Sequence, residues 1–118
     1  MSYFITGTNL LTQYFNTSGA TANNITPLNI QSRPVLIASV EITEVSGGTP
    51  NLTLVCFDTD NSIAYYKRNA LPMTAKQTVV YDEPFVLLKG WELRVTVSSG
   101  TCSVLVNYFS PNAAGARY

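Results

Sequence analysis

Apolar and polar residues alternate with a period of two along several segments of the chain, which is the pattern of β-strands that bury one face. The clearest segment is 91–98, whose alternate apolar members would share one face: Trp91, Leu93, Val95 and Val97. A turn at 99–101 separates it from segment 102–109, whose apolar members alternate in the same way: Cys102, Val104, Val106 and Tyr108. We predict that these two segments are strands and that they pair as a β-hairpin.

Two further alternating segments lie upstream. The predicted inward-facing residues are Leu36, Ala38, Val40 and Ile42 in segment 36–42, and Leu52, Leu54 and Cys56 in segment 51–57. The opposite face of the second segment contains Val55 and Phe57, so we expect another part of the protein to cover it. Clusters of turn-forming residues follow both segments, where the strands should end.

Shorter extended segments complete the pattern. Segment 63–68 combines aromatic and charged residues, as edge strands do, and a predicted loop follows it at 69–76. The others are 11–15, 25–30, 77–81 and 85–88. Because no segment of ten or more residues keeps apolar residues at helical spacing, we predict an all-β fold. About eight short strands favour a single-domain antiparallel β-sandwich or jelly roll.

The ends of the chain differ from the middle. With 118 residues the chain is long enough for one domain, which we divide into an N-terminal arm with a possible first strand (1–24), a core (25–110) and a C-terminal tail (111–118). Apolar and aromatic side chains on the arm and tail favour either frayed ends or extended arms that bind a neighbouring subunit. The candidate interaction residues there are Tyr3, Phe4, Leu11, Tyr14, Phe15 and Tyr118.

Three aromatic residues in the core segments are candidates for stacking against carbohydrate. Tyr65 and Tyr66 lie on the predicted edge strand and are the better candidates for an exposed contact. Trp91 has the same parity as Leu93, which favours packing in the core instead.

The composition excludes several classes of function. Seven basic and seven acidic residues give a net charge of zero, and only 12% of residues are charged. This removes the driving force for non-specific binding to nucleic acid or to anionic membranes, and we expect neither partner. The chain has no histidine, the commonest general base and metal ligand. No phosphate-binding motif is present either, so we expect no metal and no cofactor.

Carboxylates are the remaining candidates for catalysis. Segment 58–61 faintly resembles the start of a calcium-binding loop, but it lacks the glycine and the distal glutamate of an EF-hand. Turn-forming Asp and Asn are the favoured interpretation. A small enzyme that uses Asp58 or Glu83 stays an alternative, although no catalytic motif surrounds either residue, and we predict a non-enzymatic protein.

The N-terminal residues lack a basic region and an apolar stretch typical of signal peptides, and no apolar run approaches ~18 residues. We therefore expect the protein to be made in the cytoplasm. In a reducing compartment the two cysteines, Cys56 and Cys102, should be buried free thiols, with a single disulfide as the alternative.

With the strands assigned, the chain resembles small structural proteins of tailed bacteriophages. The resemblance rests on the apolar strand 34–42 and on segment 86–108, which is similar to an ending of the form vLxxGdxLxVxxSsGtvdVxvsY in those proteins. Trp91 stands where that pattern has an aspartate-like residue, which is a departure. The resemblance implies a β-sandwich virion component and no catalytic residues.

The function implied by this resemblance is a decoration or cement protein that stabilises the capsid. Its expected partners are the major capsid protein or other virion subunits, and further copies of itself, for example in a trimer. Its expected location is the virion, on the capsid surface or at the neck or tail, after assembly in the host cytoplasm. The alternative is a neck or tail attachment module, in which Tyr65, Tyr66 or the 58–62 loop contacts host glycans.

Overall fold

The computed structural model describes residues 8–27 and 34–111, which form nine β-strands and no helix. The strands are β1 (Thr8–Asn16), β2 (Asn23–Asn24), β3 (Val35–Glu44), β4 (Asn51–Asp58), β5 (Ile63–Pro72), β6 (Thr78–Tyr81), β7 (Phe85–Leu87), β8 (Glu92–Val97) and β9 (Cys102–Pro111). All strand pairs are antiparallel. The predicted all-β class is therefore confirmed. The described residues contain no helix long and apolar enough to span a membrane.

The strands form two sheets whose pairings are nested. Sheet A has the order β1-β9-β3-β6, with β7 also paired to β3, and sheet B has the order β2-β8-β4-β5. If β6 and β7 are counted as one interrupted strand, the first strand pairs with the last, the second with the last but one, and so on to the central pair β4–β5. A long antiparallel hairpin rolled up in this way is the jelly roll, one of the two predicted architectures.

The core lies between the two sheets and contains the alternate apolar residues of the central strands. Buried members that agree with the sequence pattern are Val40, Ile42, Leu52, Leu54, Cys56, Leu93, Val95, Val97, Cys102, Val104, Val106 and Tyr108. The core also contains Ile25, which follows β2, Val35 and Ile37 at the start of β3, Tyr81 of β6 and Leu87 of β7. Since each fully buried aliphatic side chain contributes about 1.5–3 kcal/mol, this shared interior is the main stabilising term of the fold.

The predicted hairpin between the last two long strands is wrong. β8 pairs with β2 and β4 in sheet B, whereas β9 pairs with β1 and β3 in sheet A. The turn at 98–101 crosses from one sheet to the other, so that the apolar faces of β8 and β9 meet across the core. Strict alternation identifies the buried face of each strand, but it is equally satisfied by pairing within a sheet and by packing between sheets.

The inward-facing set predicted for β3 is wrong in its first half. Val35 and Ile37 are buried, while Leu36 is 38% exposed. The register of β3 against β9 shifts between Ile37 and Ser39, which marks a β-bulge at Ala38. A bulge inserts one extra residue and reverses the parity of everything before it, so the alternation after Ala38 predicts the wrong face for Leu36.

Several strand boundaries also differ from prediction. β2 contains only Asn23–Asn24, so residues 25–27, predicted as the start of a strand, lie outside it, and residues 28–30 lie outside the described part of the chain. There the Asn24 side chain accepts hydrogen bonds from the backbone N–H and hydroxyl of Thr26, which favours a turn. Residues 69–72, predicted as a loop, continue β5 to Pro72.

The N-terminal residues 8–24, which we assigned to an arm with a possible first strand, contain β1, a full member of sheet A. β1 pairs with β9 over nine residues without a register shift. Thr17 continues this attachment, because its N–H donates to the carbonyl of Cys102. Residues 1–7 and 112–118, which include Tyr3, Phe4 and Tyr118, lie outside the described part of the chain.

One end of the sandwich is organised around a buried carboxylate. The Glu44 side chain is fully buried and accepts five hydrogen bonds. The donors are the backbone N–H groups of Ser46, Gly47, Gly48 and Lys76, and the Ser46 hydroxyl. These bonds lower the pKa of Glu44 to about 2, chiefly through the Lys76 N–H and the Ser46 hydroxyl. The carboxylate thus joins the turn after β3 to the loop before β6.

Candidate interaction surface

The outer face of sheet A carries a row of apolar side chains that crosses the sheet. The row consists of Leu10 in β1, Phe109 in β9, Leu36 in β3 and Val86 in β7. Leu10 and Val86, at its two ends, are 59% and 55% exposed. With strands about 4.8 Å apart, the row is about 14 Å long. We call these four residues the apolar row.

Polar and mixed rows lie next to the apolar row. Thr12, Asn107 and Ser39 are joined by hydrogen bonds, from the Thr12 hydroxyl to Asn107 Oδ1 and from Asn107 Nδ2 to Ser39 Oγ (2.8 Å). These bonds connect β1, β9 and β3 through their side chains and hold the outer face in one arrangement. The following row consists of Tyr14, Leu105, Glu41 and Val80. Its two ends, Tyr14 and Val80, are exposed.

The other sheet carries a second candidate region. The rings of Tyr65 and Trp91 stack with centroids 5.2 Å apart and planes inclined by 8°. Trp91 also lines an open pocket of about 190 Å³ beside this pair. The other lining residues are Asn24, Thr26, Gly90 and Glu92. A flat ring beside polar groups is suited to contact with a sugar.

Charged side chains of β5 cover aromatic rings at the rim of the sandwich. Lys67 and Arg68 of β5 lie over the rings of Phe85 (4.7 Å) and Tyr81 (4.6 Å) in the opposite sheet. The bulge in β5 beside Lys67 presents both cations to the same side.

The outward-facing apolar residues of β4 are also covered. Arg94 lies 3.8 Å from the centre of the Phe57 ring and is held there by an ion pair with Glu92. The expectation that this face of β4 is covered is therefore confirmed: the Arg94 guanidinium group covers Phe57, and Val55 is buried.

The carboxylates considered for catalysis do not form a site in the described residues. Asp58 is buried and accepts hydrogen bonds from the backbone of Asp60 and Asn61 and from the Asn61 side chain. The interpretation of 58–61 as a turn is confirmed, since these are the bonds of an Asx-turn. Glu83 is exposed in the 82–84 connection. Within the ranges 8–27 and 34–111, no three His, Cys, Asp or Glu side chains are grouped to bind a metal ion.

Both cysteines are free and buried, as predicted. Burial raises the pKa of the Cys56 thiol. It also raises the pKa of Cys102, to which the nearby Glu44 charge contributes. Thiols of this kind are poor nucleophiles, because the reactive species is the thiolate.

The candidate interaction residues in the described part of the chain lie on two strands, β1 and β5. Leu11 and Tyr14 are exposed on β1, whereas Phe15 packs partly against the core. Tyr65 and Tyr66 are exposed on β5, with Tyr65 engaged by Trp91. Trp91 itself is half-buried and packs against the core, as its parity favoured.

Sequence reasoning missed the apolar row. Its four members lie far apart in the chain and become neighbours only through the strand register. Val86 lies in a strand of only three residues, so no local pattern of alternation distinguishes it. Leu36 was assigned to the core because of the bulge.

Comparisons with known proteins include two distant structural likenesses. No protein-family model matches the chain, and no curated protein matches it. A structure of infectious bursal disease virus Gx strain is 11% identical with a TM-score of 0.43, covering 90% of this chain and 32% of the viral chain. A structure of Bacillus endospore appendages, described as disulfide-linked pili, is 16% identical with a TM-score of 0.36, covering 86% and 85%. Both TM-scores are below 0.5, so neither likeness assigns a family or a function.

Proposed function

We propose that this chain is a non-enzymatic structural protein of a tailed-phage virion, a decoration protein that binds the head shell and stabilises it. Its partners in this role are the major capsid protein or other virion subunits and further copies of itself. It is assembled onto the particle in the host cytoplasm.

The apolar row is the observation that carries this proposal. Four apolar side chains in contact positions across a whole sheet are a surface that gains free energy when another protein covers it. The flanking Thr12–Asn107–Ser39 hydrogen bonds restrain the side chains beside the row, so these side chains lose less conformational entropy on binding. Many weak contacts of this kind, repeated by the symmetry of a shell, give a stable attachment.

Electron microscopy of purified phage particles tests where in the virion this protein lies. Density for this fold on the head lattice supports the decoration role, and density at the tail alone removes it. Absence of the chain from purified particles, measured by mass spectrometry, overturns every virion role.

A pair of variants tests the surface. We expect Leu36→Asp combined with Val86→Asp to lower binding to the shell at least about tenfold, since the charges must be desolvated in the contact. The matched control is Ile63→Asp combined with Tyr66→Asp, which places the same two charges on exposed residues of sheet B. Equal binding by the two proteins would contradict the assignment of the apolar row.

The Tyr65–Trp91 pair favours a second candidate, a neck or tail module that contacts host glycans. Its stacked rings lie beside the polar groups of Asn24 and Glu92 in the pocket. A glycan array with the wild-type protein and Trp91→Ala tests it. Binding that is lost in the variant supports this function, and no binding to any glycan by the wild type argues against it.

A further inference from the structure

β1 is a long sheet edge that lacks the features by which proteins protect such edges. It has nine residues with no charged residue and no proline, and it has no register shift. In the described part of the chain it pairs only with β9. A strand of this kind presents a free row of N–H and C=O groups to other strands.

The other three edges are each protected. β5 contains Lys67, Arg68 and Pro72 and is interrupted by bulges. β2 has only two residues, and the edge formed by β6 and β7 is broken by the 82–84 connection. The difference between these edges and β1 indicates that another strand pairs with the free side of β1.

The hydrogen bonds at the end of β1 show which of its backbone groups are free. The N–H of Thr17 donates to the carbonyl of Cys102 (2.9 Å), in the same register that pairs β1 with β9. Hydrogen-bonded pairs alternate in an antiparallel ladder, so the odd-numbered residues of β1 bond to β9. The N–H and C=O groups of the even-numbered residues are therefore directed to the free edge: Thr8, Leu10, Thr12, Tyr14 and Asn16.

We propose that β1 pairs antiparallel with β1 of a second copy, about a two-fold axis at Thr12. In this register Thr12 lies opposite Thr12 of the second copy, and Leu10 lies opposite Tyr14. All five even-numbered residues then form hydrogen-bonded pairs, giving about ten hydrogen bonds over about 30 Å. An axis at residue 11 or 13 leaves one of these pairs unmade.

The side chains support the same register. Tyr14 is 73% exposed and Leu10 is 59% exposed, the largest fractions among the exposed large apolar residues. Both face outward from sheet A, and the two-fold axis brings each against the other in the second copy. An aromatic ring opposite an aliphatic side chain is a favourable cross-strand pair. The contact is self-complementary and closes at two copies.

Pairing makes one continuous sheet from the two five-stranded sheets. The apolar row of one copy then continues into Tyr14 of the second copy. The proposal does not depend on a role in a virion, because it follows from the edge alone. It can fail while the apolar row still binds a shell, and the converse also holds.

Introducing a charge at Thr12, on the proposed two-fold axis, tests the register of the pairing. Thr12→Lys places two ammonium groups directly opposite each other, and Thr12→Glu does the same with two carboxylates. We expect each variant to dissociate, with at least a tenfold rise in the dimer Kd by sedimentation velocity. An equimolar mixture of the two variants should associate again, because opposite charges then face each other.

The matched control is Val80→Lys, an exposed residue on the other edge of the same outer face. It should leave the Kd unchanged. The proposal is overturned if the wild type sediments as a monomer at about 0.1 mM, if Thr12→Lys has no effect, or if mixing the variants does not restore association.

Residue-resolved amide exchange gives a second readout. The N–H groups of Leu11 and Phe15 should exchange slowly at every concentration, because they bond to β9. Those of Leu10, Thr12 and Tyr14 should become slow only at concentrations where the dimer forms. Protection of the second set at all concentrations would mean that a segment of the same chain covers this edge, and it would overturn the proposal.

Discussion

The backbone N–H of Lys76 donates a hydrogen bond of 3.0 Å to the side chain of Glu44, 32 residues earlier in the chain. The bond joins the loop before β6 to the end of β3, and the same carboxylate binds the turn at Ser46, Gly47 and Gly48. A buried carboxylate whose hydrogen bonds come from backbone N–H groups and a hydroxyl of its own chain is a structural group, and its charge stabilises this end of the sandwich.

Replacing Glu44 with Gln should therefore destabilise the protein strongly. The amide keeps the shape of the side chain, but its NH₂ group faces N–H donors and leaves some of them unsatisfied. We expect the midpoint of thermal unfolding to fall by more than about 5 °C. The matched control is Glu41→Gln, the same change at a half-buried residue of the outer face of β3, which should have little effect.

The same carboxylate predicts an acid-sensitive contribution to stability. The pKa of Glu44 is lowered from 4.5 to about 2, so the folded state favours the charged form. The contribution is complete above pH 4.5 and is lost as the pH falls towards 2. The difference in unfolding free energy between the wild type and Glu44→Gln, measured by urea titration, should shrink over that range. A difference that is constant down to pH 2 would contradict this.

Gly100 should resist substitution more than other glycines with the same backbone conformation. It has a φ of +71°, and an added Cβ would collide with the Ser46 hydroxyl that binds Glu44. Gly19 has a φ of +67° with no atom near an added Cβ. Gly19→Ala should cost about 1–2 kcal/mol from the backbone alone, and Gly100→Ala should cost more. Adding Ser46→Ala to the second variant should recover part of the difference in chemical denaturation.

How far the sequence predicts this fold depends on the range of each interaction. Alternation is local, so it gave the buried faces of β4, β8 and β9 correctly. Glu44 has the parity of Val40 and Ile42, so alternation places its side chain inward. The glycines that follow it, Gly47 and Gly48, are the further signal that backbone N–H groups can approach this carboxylate. The bulge at Ala38 has no such signal, and the face of Leu36 was wrong for that reason.

The alternation of apolar and polar residues could not predict which distant segments pair with each other. Which sheet holds β8 and which holds β9 is decided by the nested pairing of the whole chain. The apolar row depends on the same pairing, because Leu10 and Phe109 become neighbours only when the first strand meets the last. The candidates found by residue type, Tyr14 and Tyr65, are exposed side chains that local sequence can identify.

The two thiols should be unreactive in the folded protein. Burial raises the pKa of both Cys56 and Cys102, which reduces the thiolate fraction and blocks access of the reagent. We expect Ellman's reagent to titrate neither thiol under native conditions and both after unfolding in guanidinium chloride. Fast reaction of one thiol in the native state would show that its strand opens locally.

The stacking of Tyr65 on Trp91 should be visible in the fluorescence of the only tryptophan in the chain. Tyr65→Ala removes the ring 5.2 Å from the indole and admits water, so the emission maximum should shift to the red. The unfolding free energy should also fall, by about 1 kcal/mol for the lost ring pair. Tyr66→Ala, the adjacent exposed tyrosine, is the matched control and should change neither quantity. Equal shifts for both variants would mean that the environment of Trp91 depends on β5 as a whole and not on this pair.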